Sequence, residues 1–471
     1  MFQPTSIIFS VAAALLSVPG ANANPLQPRD DLTATVDLST TNGQPQHLAS
    51  GFIYGIPDNY PNQIPDHWYS DIDFNYGRVG GAQLGEPARG WIWGMDEFSG
   101  RVNSAFLNYE VCRQFDANVI VLVHDIWGTD SHNSSTVWPG DDGDWTDWDL
   151  YVANLLDSFV SNDMLEGLVI DIWNEPDQST FWQRDVQQWV DLYIRTHKAI
   201  RSDSRFDGVK ISGPSLSGLP ASDNEWWTTW LQQIAGNSTV PDQWSYHMEH
   251  SLANANNDPL VTNATLAAML EEYQLPEREV NVNEYAILGE MHPSGYAWWI
   301  ARLERYNFWG LLGNWASGTT LHDLFANLLT KESDPDDYEA TDYVAAPGYW
   351  VYKYYNVNMT GERLATTGSG DSYLDVYATR DESTVRLLVG SRVREGTWTV
   401  QLNNLSSIGY DVSGTVSIST WGFDGADLYT AQAAPSFRNT YDHRISNDAL
   451  AFKIYQNDIY TAWAFEFAVL N

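Results

Sequence analysis

The sequence predicts an α/β protein in which a (β/α)8 barrel, the TIM-barrel architecture, is followed by a C-terminal antiparallel β-sandwich domain. Strand-like and helix-like segments alternate from residue 48 to about residue 330, which is typical of a parallel sheet covered by helices. Eight strand–helix pairs in this stretch fit the usual barrel size of about 250 residues. From Arg363 onward the segments become short alternating strands, and this pattern favours a sandwich.

The chain is accordingly divided into four predicted parts. Residues 1–23 are predicted to be a secretory signal, because the apolar run Ser6–Val18 is too short to span a bilayer comfortably and the small-residue site Ala21-Asn22-Ala23 follows it. The remaining parts are a polar lead, the barrel and the sandwich, at residues 24–47, 48–345 and 346–471.

Each element is predicted from its hydrophobic period. The barrel strands are short runs rich in Val, Ile and aromatic residues, at residues 48–56, 74–80, 118–123, 167–173, 209–213, 244–248, 279–286 and 311–315. The helices have apolar residues at helical spacing, at residues 67–73, 106–117, 146–161, 181–201, 226–235, 263–273, 296–306 and 320–329. The sandwich strands alternate, at residues 373–379, 385–389, 397–402, 414–420, 449–454 and 462–469, with 32–38 as a possible edge strand.

Composition narrows the possible partners and the compartment. There are 61 acidic and 24 basic residues, a formal charge of −37, which argues against nucleic acid or an anionic membrane as a partner. The single cysteine, Cys112, permits no intrachain disulfide. A surplus among the 22 Trp and 25 Tyr suits a sugar-binding cleft. Five sequons favour a secreted glycoprotein, at Asn133, Asn237, Asn263, Asn358 and Asn404.

The fourth predicted strand, Gly167–Trp173, ends in the polar residues Asn174 and Glu175, followed by Pro176. Pro176 cannot donate to a ladder and keeps Glu175 out of helical geometry, so the strand ends there. Glu175 therefore lies at the carboxyl rim, where barrels of this kind carry their chemistry. Apolar neighbours predict a raised pKa and a general acid, although an isolated Glu-Pro pair more often caps a helix or pairs with an arginine.

A second carboxylate, Glu284, ends the seventh predicted strand. Residues ending strands four and seven of a closed eight-stranded barrel can face each other across its mouth. Two carboxylates across a cleft are the minimum for glycoside hydrolysis, at about 5–5.5 Å for retention and about 6.5–9.5 Å for inversion. Because close carboxylates do not readily both ionise, we expect Glu175 to keep its proton as the acid/base and Glu284 to be the ionised nucleophile.

Polar residues at other strand ends are candidates for holding the substrate or the nucleophile. Asn174 is predicted to hydrogen-bond a sugar hydroxyl, with a turn amide before Pro176 as the equal alternative. Arg78, near the end of strand two, is expected to hold Glu284 ionised, unless it serves a structural ion pair. Tyr246 and His247 end strand six and are expected to orient Glu284, although a lone barrel histidine is more often structural.

Further binding candidates lie at strand three, in the long loop after it, and at strand eight. His124 and Asp125 are expected to bind outlying hydroxyls. Trp315 is predicted to form the floor of the terminal sugar subsite, and Trp127 to stack on substrate. An aromatic stripe is more often core, but Trp315 ends a strand at the functional rim.

These motifs resemble clan A of the retaining glycoside hydrolases. The resemblance is carried by IWNEPD at 172–177 and VNEYA at 282–286, with WSYHME at 244–249 and LLGNWAS at 311–317 in agreement. It implies an Asn-Glu acid/base after strand four and a glutamate nucleophile after strand seven. WNEPD followed by a Phe-Trp pair and a long helix is most similar to glycoside hydrolase family 39, which implies a β-xylosidase-like enzyme with a barrel and a β-sandwich.

The sequence thus favours a secreted retaining hydrolase of plant or microbial saccharides, without a cofactor or metal. One alternative is an inactive carbohydrate-binding protein on a hydrolase barrel. Another is a metal hydrolase using His124, Asp125, His247 and His250, although the last two point to opposite sides of a strand. The sugar, the linkage, exo or endo action, glycan binding by the sandwich and the oligomeric state stay open.

Overall fold

The computed structural model describes residues 32–58, 63–425 and 427–470, so the predicted signal at residues 1–23 lies outside the described residues. The first strand, β1 (Thr33–Thr41), belongs to a second sheet. The next eight strands are parallel and close into a barrel in chain order, which confirms the predicted (β/α)8 architecture. They are β2 (Gly51–Ile53), β3 (Tyr76–Val79), β4 (Asn118–Leu122), β5 (Leu168–Asp171), β6 (Lys210–Leu216), β7 (Gln243–Met248), β8 (Glu279–Tyr285) and β9 (Phe308–Leu312).

Helices surround this barrel and follow its strands. They are α1 (Asp66–Ser70), α2 (Met95–Gln114), α3 (Val123–Trp127), α4 (Thr146–Ser161), α5 (Val186–Ser202), α6 (Glu225–Asn237), α7 (Pro259–Glu272), α8 (Pro293–Tyr306) and α9 (Pro347–Lys353). Side-chain caps begin four of them, because each of these residues accepts a hydrogen bond from a first-turn backbone N–H: Asp185, Asn224, Asp258 and His292. Within the described chain, no helix is both long and apolar enough to cross a membrane.

The predicted helix over 320–329 is wrong. Residues 318–322 form a 3-10 turn, and Leu324–Asn327 have left-handed backbone angles. The buried ring of Phe325 lies 5.2 Å from those of Phe52 and Phe74 and 4.8 Å from that of Tyr69. Burial in this aromatic cluster overrides the helical spacing. The hairpin of β10 (Leu329–Lys331) and β11 (Tyr343–Ala345) follows, and α9 then covers the barrel.

The second domain is a closed ring of nine strands, where the sequence predicted a sandwich. Strand β1 is part of this ring and pairs in parallel with β15 and antiparallel with β12. All other pairings in the ring are antiparallel. Its other strands are β12 (Glu362–Thr367), β13 (Leu374–Arg380), β14 (Thr384–Ser391), β15 (Gly396–Asn403), β16 (Ser413–Phe423), β17 (Ser436–Ser446), β18 (Ala449–Gln456) and β19 (Ala462–Ala468). Since β17 is exposed along nearly its whole length, it lacks the alternation by which a strand is recognised.

Helix α8 joins the two domains. It is buried on nearly every side because the barrel contacts one face and β13 and β14 contact the other. Asp375 on β13 is fully buried and pairs with Arg302 and Arg305 of α8, at 2.8 Å from Arg302 Nε. The second domain therefore supports the barrel helix that follows the strand bearing Glu284.

Candidate active site

Glu175 stands at the carboxyl end of the barrel, four residues after β5. Its backbone φ is +42°, in the left-handed region that favours glycine, and its N–H donates to Ser215 O at 2.9 Å. A residue held in this region at a barrel mouth is the kind of local strain that accompanies functional sites. The side chain is 16% exposed, so it reaches the cleft while remaining largely out of water.

Glu284 projects from β8 at the same mouth and is 18% exposed. Arg78, buried on β3, contacts it directly and also donates to Asp171 Oδ2 at 2.8 Å and to Asn174 Oδ1 at 2.7 Å. The guanidinium thus stabilises the ionised form of Glu284. Asn174 has its side-chain oxygen committed to Arg78, which orients the amide beside the cleft.

One imidazole joins the two glutamates. His247 Nδ1 lies 2.7 Å from Glu175 Oε1, and its Nε2 lies 3.5 Å from Glu284 Oε1. Because one five-membered ring spans the gap, both carboxylates can reach the same sugar ring. The structure therefore brings together the acid/base and nucleophile candidates that are distant in the sequence.

Burial sets the protonation states at this pair. Burial raises the pKa of Glu175 to about 7, and the negative charge of Asp177 acts in the same direction. Arg78, His124 and His250 lower this pKa, but their effect is smaller. Burial lowers the pKa of His247 to about 4. His247 is therefore neutral at neutral pH, and its contact with Glu175 is a hydrogen bond and not an ion pair.

A buried polar network beneath the cleft positions Arg78, and sequence reasoning missed it. Asp171, at the end of β5, accepts from Arg78, from Ser215 Oγ at 2.9 Å and from Asn283 Nδ2 at 3.0 Å. Ser215 Oγ is in turn 2.8 Å from Ser245 Oγ. The signal available in the sequence was a charged residue inside an otherwise apolar strand, which needs a partner when it is buried.

The cleft above this network has a volume of about 390 Å³. Besides the glutamates it is lined by Asn174, Gln178, Thr180, Phe181, Ser217, Glu249, Asn314 and Trp315. Glu249 was also missed by sequence reasoning. It follows β7 at position i+2 from His247, and the period of two along a strand points both to the interior.

Trp315 lies at the cleft in the predicted place, although the element is different. β9 ends at Leu312, so Trp315 projects from the loop beyond the strand. Its indole is 45% exposed and its Nε1 donates to Ala286 O at 3.2 Å. An exposed, tethered ring at the cleft can support the apolar face of a sugar.

Burial contradicts the predicted binding role of two residues, Trp127 and Tyr246. Trp127 is 1% exposed and packs on Trp138 and Trp173, with ring centroids at 5.3 and 5.6 Å, so it is core beneath the long loop. Tyr246 is fully buried and its hydroxyl donates to Thr262 Oγ1 at 3.0 Å. It points outward to α7, because it alternates with the inward His247.

His124 and Asp125 lie in the short helix α3 and not at a strand end. Both are buried, and Asp125 accepts from Tyr54 OH at 2.5 Å. The His124 ring packs 6.0 Å from Trp173 and 5.8 Å from Phe181. Both side chains are thus engaged within the protein and lie outside the cleft lining, which contradicts their expected contact with sugar hydroxyls.

The metal alternative is not supported by the positions of the histidines. His250 Nε2 lies 2.8 Å from Ser217 O, whereas His247 faces the two glutamates. The two imidazoles therefore have different partners. Among the described residues, no group of three or more His, Cys, Asp or Glu side chains is arranged to hold a metal ion.

Scans against protein-family models and curated proteins find no match, but solved structures match over nearly the whole chain. N2152 from Neocallimastix frontalis has a TM-score of 0.70 at 19% identity, over 93% of this chain and 99% of that one. A glycoside hydrolase family 30 endoxylanase from Clostridium papyrosolvens C71 has a TM-score of 0.55 at 13% identity, over 93% of this chain and 100% of that one. The family 39 enzyme from Xanthomonas axonopodis pv. citri has a TM-score of 0.55 at 14% identity, over 94% of this chain and 98% of that one.

The barrel and its attached β domain therefore have a fold that is also found in glycoside hydrolases. The chain shares this fold with structures of families 30, 39 and 44, each of which aligns with more than nine-tenths of it. The resemblance to clan A, with family 39 among the matches, is confirmed at the level of the fold.

Proposed function

We propose that the protein is a retaining O-glycoside hydrolase that uses Glu175 as acid/base and Glu284 as nucleophile. The observation that carries this proposal is the pair of glutamates joined by His247, with unequal surroundings. Glu175 has a pKa raised to about 7 by burial, whereas Glu284 is paired with Arg78. One carboxyl that keeps its proton and one that is held ionised are the two roles that the reaction requires.

In the first step, Glu284 attacks the anomeric carbon while the bond to the leaving oxygen breaks. Glu175 gives its proton to that oxygen, and a covalent glycosyl–enzyme forms. In the second step, Glu175 takes a proton from water, the water oxygen bonds to the anomeric carbon, and the bond to Glu284 breaks. Neutral His247 can accept a hydrogen bond from protonated Glu175 or donate one to its ionised form.

The proposed substrates are plant or microbial polysaccharides or oligosaccharides, with β-linked xylosides as the first candidates. Support comes from the exposed Trp315 at the cleft and from the structural match to a xylanase. The pronounced negative charge of the chain disfavours anionic glycans by repulsion. Neutral glycans are therefore the proposed class.

The test is a panel of aryl glycosides, with NMR observation of the first-formed anomer. The proposal expects an anomer of the same configuration as the substrate. Glu284→Ala and Glu175→Ala should each lose nearly all turnover while the fold persists, as judged by circular dichroism. Azide should partly restore Glu284→Ala with inverted product. Full activity in either variant would contradict the mechanism, and sugar binding without turnover would favour the inactive binding protein.

We also propose that the protein is secreted and glycosylated. Among the sequons, the asparagines at 133, 237, 263 and 358 are exposed, whereas Asn404 is half-buried and its Nδ2 donates to both Asp37 Oδ1 and Ser39 Oγ, at 2.7 and 3.1 Å. Expression in a eukaryotic secretory host should give protein beginning near Asn24, with glycan at exposed sequons and little at Asn404. Amino-terminal sequencing and glycopeptide mass spectrometry measure both.

A further inference from the structure

A third carboxyl group, that of Glu249, lines the cleft with Glu175 and Glu284. The interior row of β7 contains Ser245, whose Oγ meets Ser215, and His247, which meets Glu175. Glu249 is the next residue in this period of two. It therefore extends the interior row by one layer toward the mouth, beside the reacting glutamates, and the two-glutamate reaction gives it no role.

The backbone makes room for this carboxyl at Gly313, immediately after β9. A Cβ at residue 313 would lie 2.2 Å from Glu249 Oε1, so any other side chain would displace the carboxyl. The Gly313 N–H donates to Tyr285 O at 2.9 Å, which holds the loop in place. The Glu249 carboxyl is consequently confined between Gly313 and the end of β8, where Glu284 stands.

The surroundings of the Glu249 and Glu284 carboxyl groups favour a proton on Glu249. Its carboxyl lines the same cleft as that of Glu284, and two neighbouring carboxyl groups can share a hydrogen bond only when one of them is protonated. Arg78 is paired with Glu284 and favours its charge. Burial raises the pKa of Glu249 well above its usual value, and the charges of Glu284 and Glu175 raise it further. Arg78 lowers it, but by less. His247, which precedes Glu249 by two residues in the same interior row, is neutral because burial lowers its pKa.

We propose that Glu249 is a positioning residue that stays protonated and donates a hydrogen bond to the nucleophile Glu284. This inference rests on the proposed two-glutamate reaction and adds a third group to it. When the bond between the anomeric carbon and Glu284 breaks, its electron pair returns to the Glu284 carboxylate. A donor already in place stabilises that charge, so Glu249 assists the second step more than the first.

The kinetic test compares Glu249→Gln, which keeps a donor, with Glu249→Leu, which removes it. With an aryl glycoside that has a good leaving group, Glu249→Leu should lower kcat about 100-fold. Its kcat/KM should fall less than about 10-fold, with an initial burst of about one aryl group per active site. The kcat of Glu249→Gln should lie between those of Glu249→Leu and the wild type. Equal losses of kcat and kcat/KM in both variants, without a burst, would overturn the proposal.

A second measurement is independent of turnover. In a Glu175→Gln background, infrared spectra at neutral pH should show the carbonyl stretch of a protonated carboxyl, and Glu175→Gln/Glu249→Gln should lack it. Both proteins carry the shape-conserving glutamine, so neither depends on tolerance of Leu. No difference in this band would overturn the proposal. If wild type hydrolysed no glycoside, the proposed function would fail, and the band would still show whether Glu249 holds a proton.

Discussion

Glu175 combines a left-handed backbone with a carboxyl of raised pKa, and both features follow from its position beyond a buried strand. An acid/base with a pKa of about 7 is matched to operation near neutrality. We therefore expect kcat/KM to fall as the pH rises through about 7, because Glu175 loses the proton that the leaving oxygen requires. The pH profile of kcat/KM measures this, and an unchanged rate up to pH 9 would contradict it.

The same pKa shift predicts a cost to stability. The pKa of Glu175 is raised from 4.5 in the unfolded chain to about 7 in the folded protein. Its contribution to the free energy of unfolding is therefore fully present below pH 4.5 and is lost as the pH rises through about 7. Glu175→Gln cannot ionise, so this loss of stability does not occur in the variant. We expect it to exceed wild type in unfolding free energy by up to about 3 kcal/mol above pH 7, and to match it more closely at pH 4, measured by urea denaturation at both pH values.

Arg78 contacts Glu284, Asp171 and Asn174 with one planar guanidinium, which a lysine cannot reproduce. We expect Arg78→Lys to lower kcat by about 100-fold through loss of support for Glu284. The matched control is Arg205→Lys, which changes a surface arginine paired with Asp203 and Asp157. Equal activity of the two variants would show that Arg78 is only structural.

At the scale of elements, the strand that carries Arg78 fits closely against a helix. A Cβ at Gly77 of β3 would lie 2.6 Å from Cys112 Sγ of α2. We expect Gly77→Ala to destabilise the fold by about 1–3 kcal/mol through overpacking and to reduce activity by shifting Arg78. The measurement is a double-mutant cycle with Cys112→Ala, which removes the clashing sulfur.

The cycle should show that Gly77→Ala costs much less when residue 112 is alanine, because the two positions share one space. Additive losses would show that the strain lies elsewhere. Activity of the double variant should recover in parallel with stability if the displacement of Arg78 is its cause.

Element prediction succeeded where hydrophobic period alone decides the structure. The barrel strands and most helices follow from this period, and so does the placement of Glu175 and Glu284 at the ends of strands four and seven. It failed at 320–329, where burial of Phe325 imposes left-handed turns, and at β17, whose side chains are mostly exposed. The role of Glu249 depends on its contact with Gly313, a tertiary relation that no local pattern contains.

At the scale of the whole molecule, buried ion pairs fasten the β domain to the barrel. Burial raises the pKa of Asp375, but Arg305 and Arg302 outweigh this effect and lower it overall. Asp375→Asn would leave Arg305 without its charge partner and Arg302 with only Asp258, at 3.5 Å. We expect a loss of about 3–5 kcal/mol, with barrel and β domain unfolding in a single transition, as followed by calorimetry. A separate transition for each domain would contradict this coupling.

The central claim is that Glu284 becomes covalently bonded to the sugar. The direct measurement uses a 2-deoxy-2-fluoro glycoside with a good leaving group, since fluorine slows both steps and lets the glycosyl–enzyme accumulate. Peptide mass spectrometry should find one added fluorosugar on the peptide containing Glu284 and none on Glu284→Gln. Label on Glu175 or Glu249, or continued hydrolysis with inversion and no labelled protein, would contradict the account.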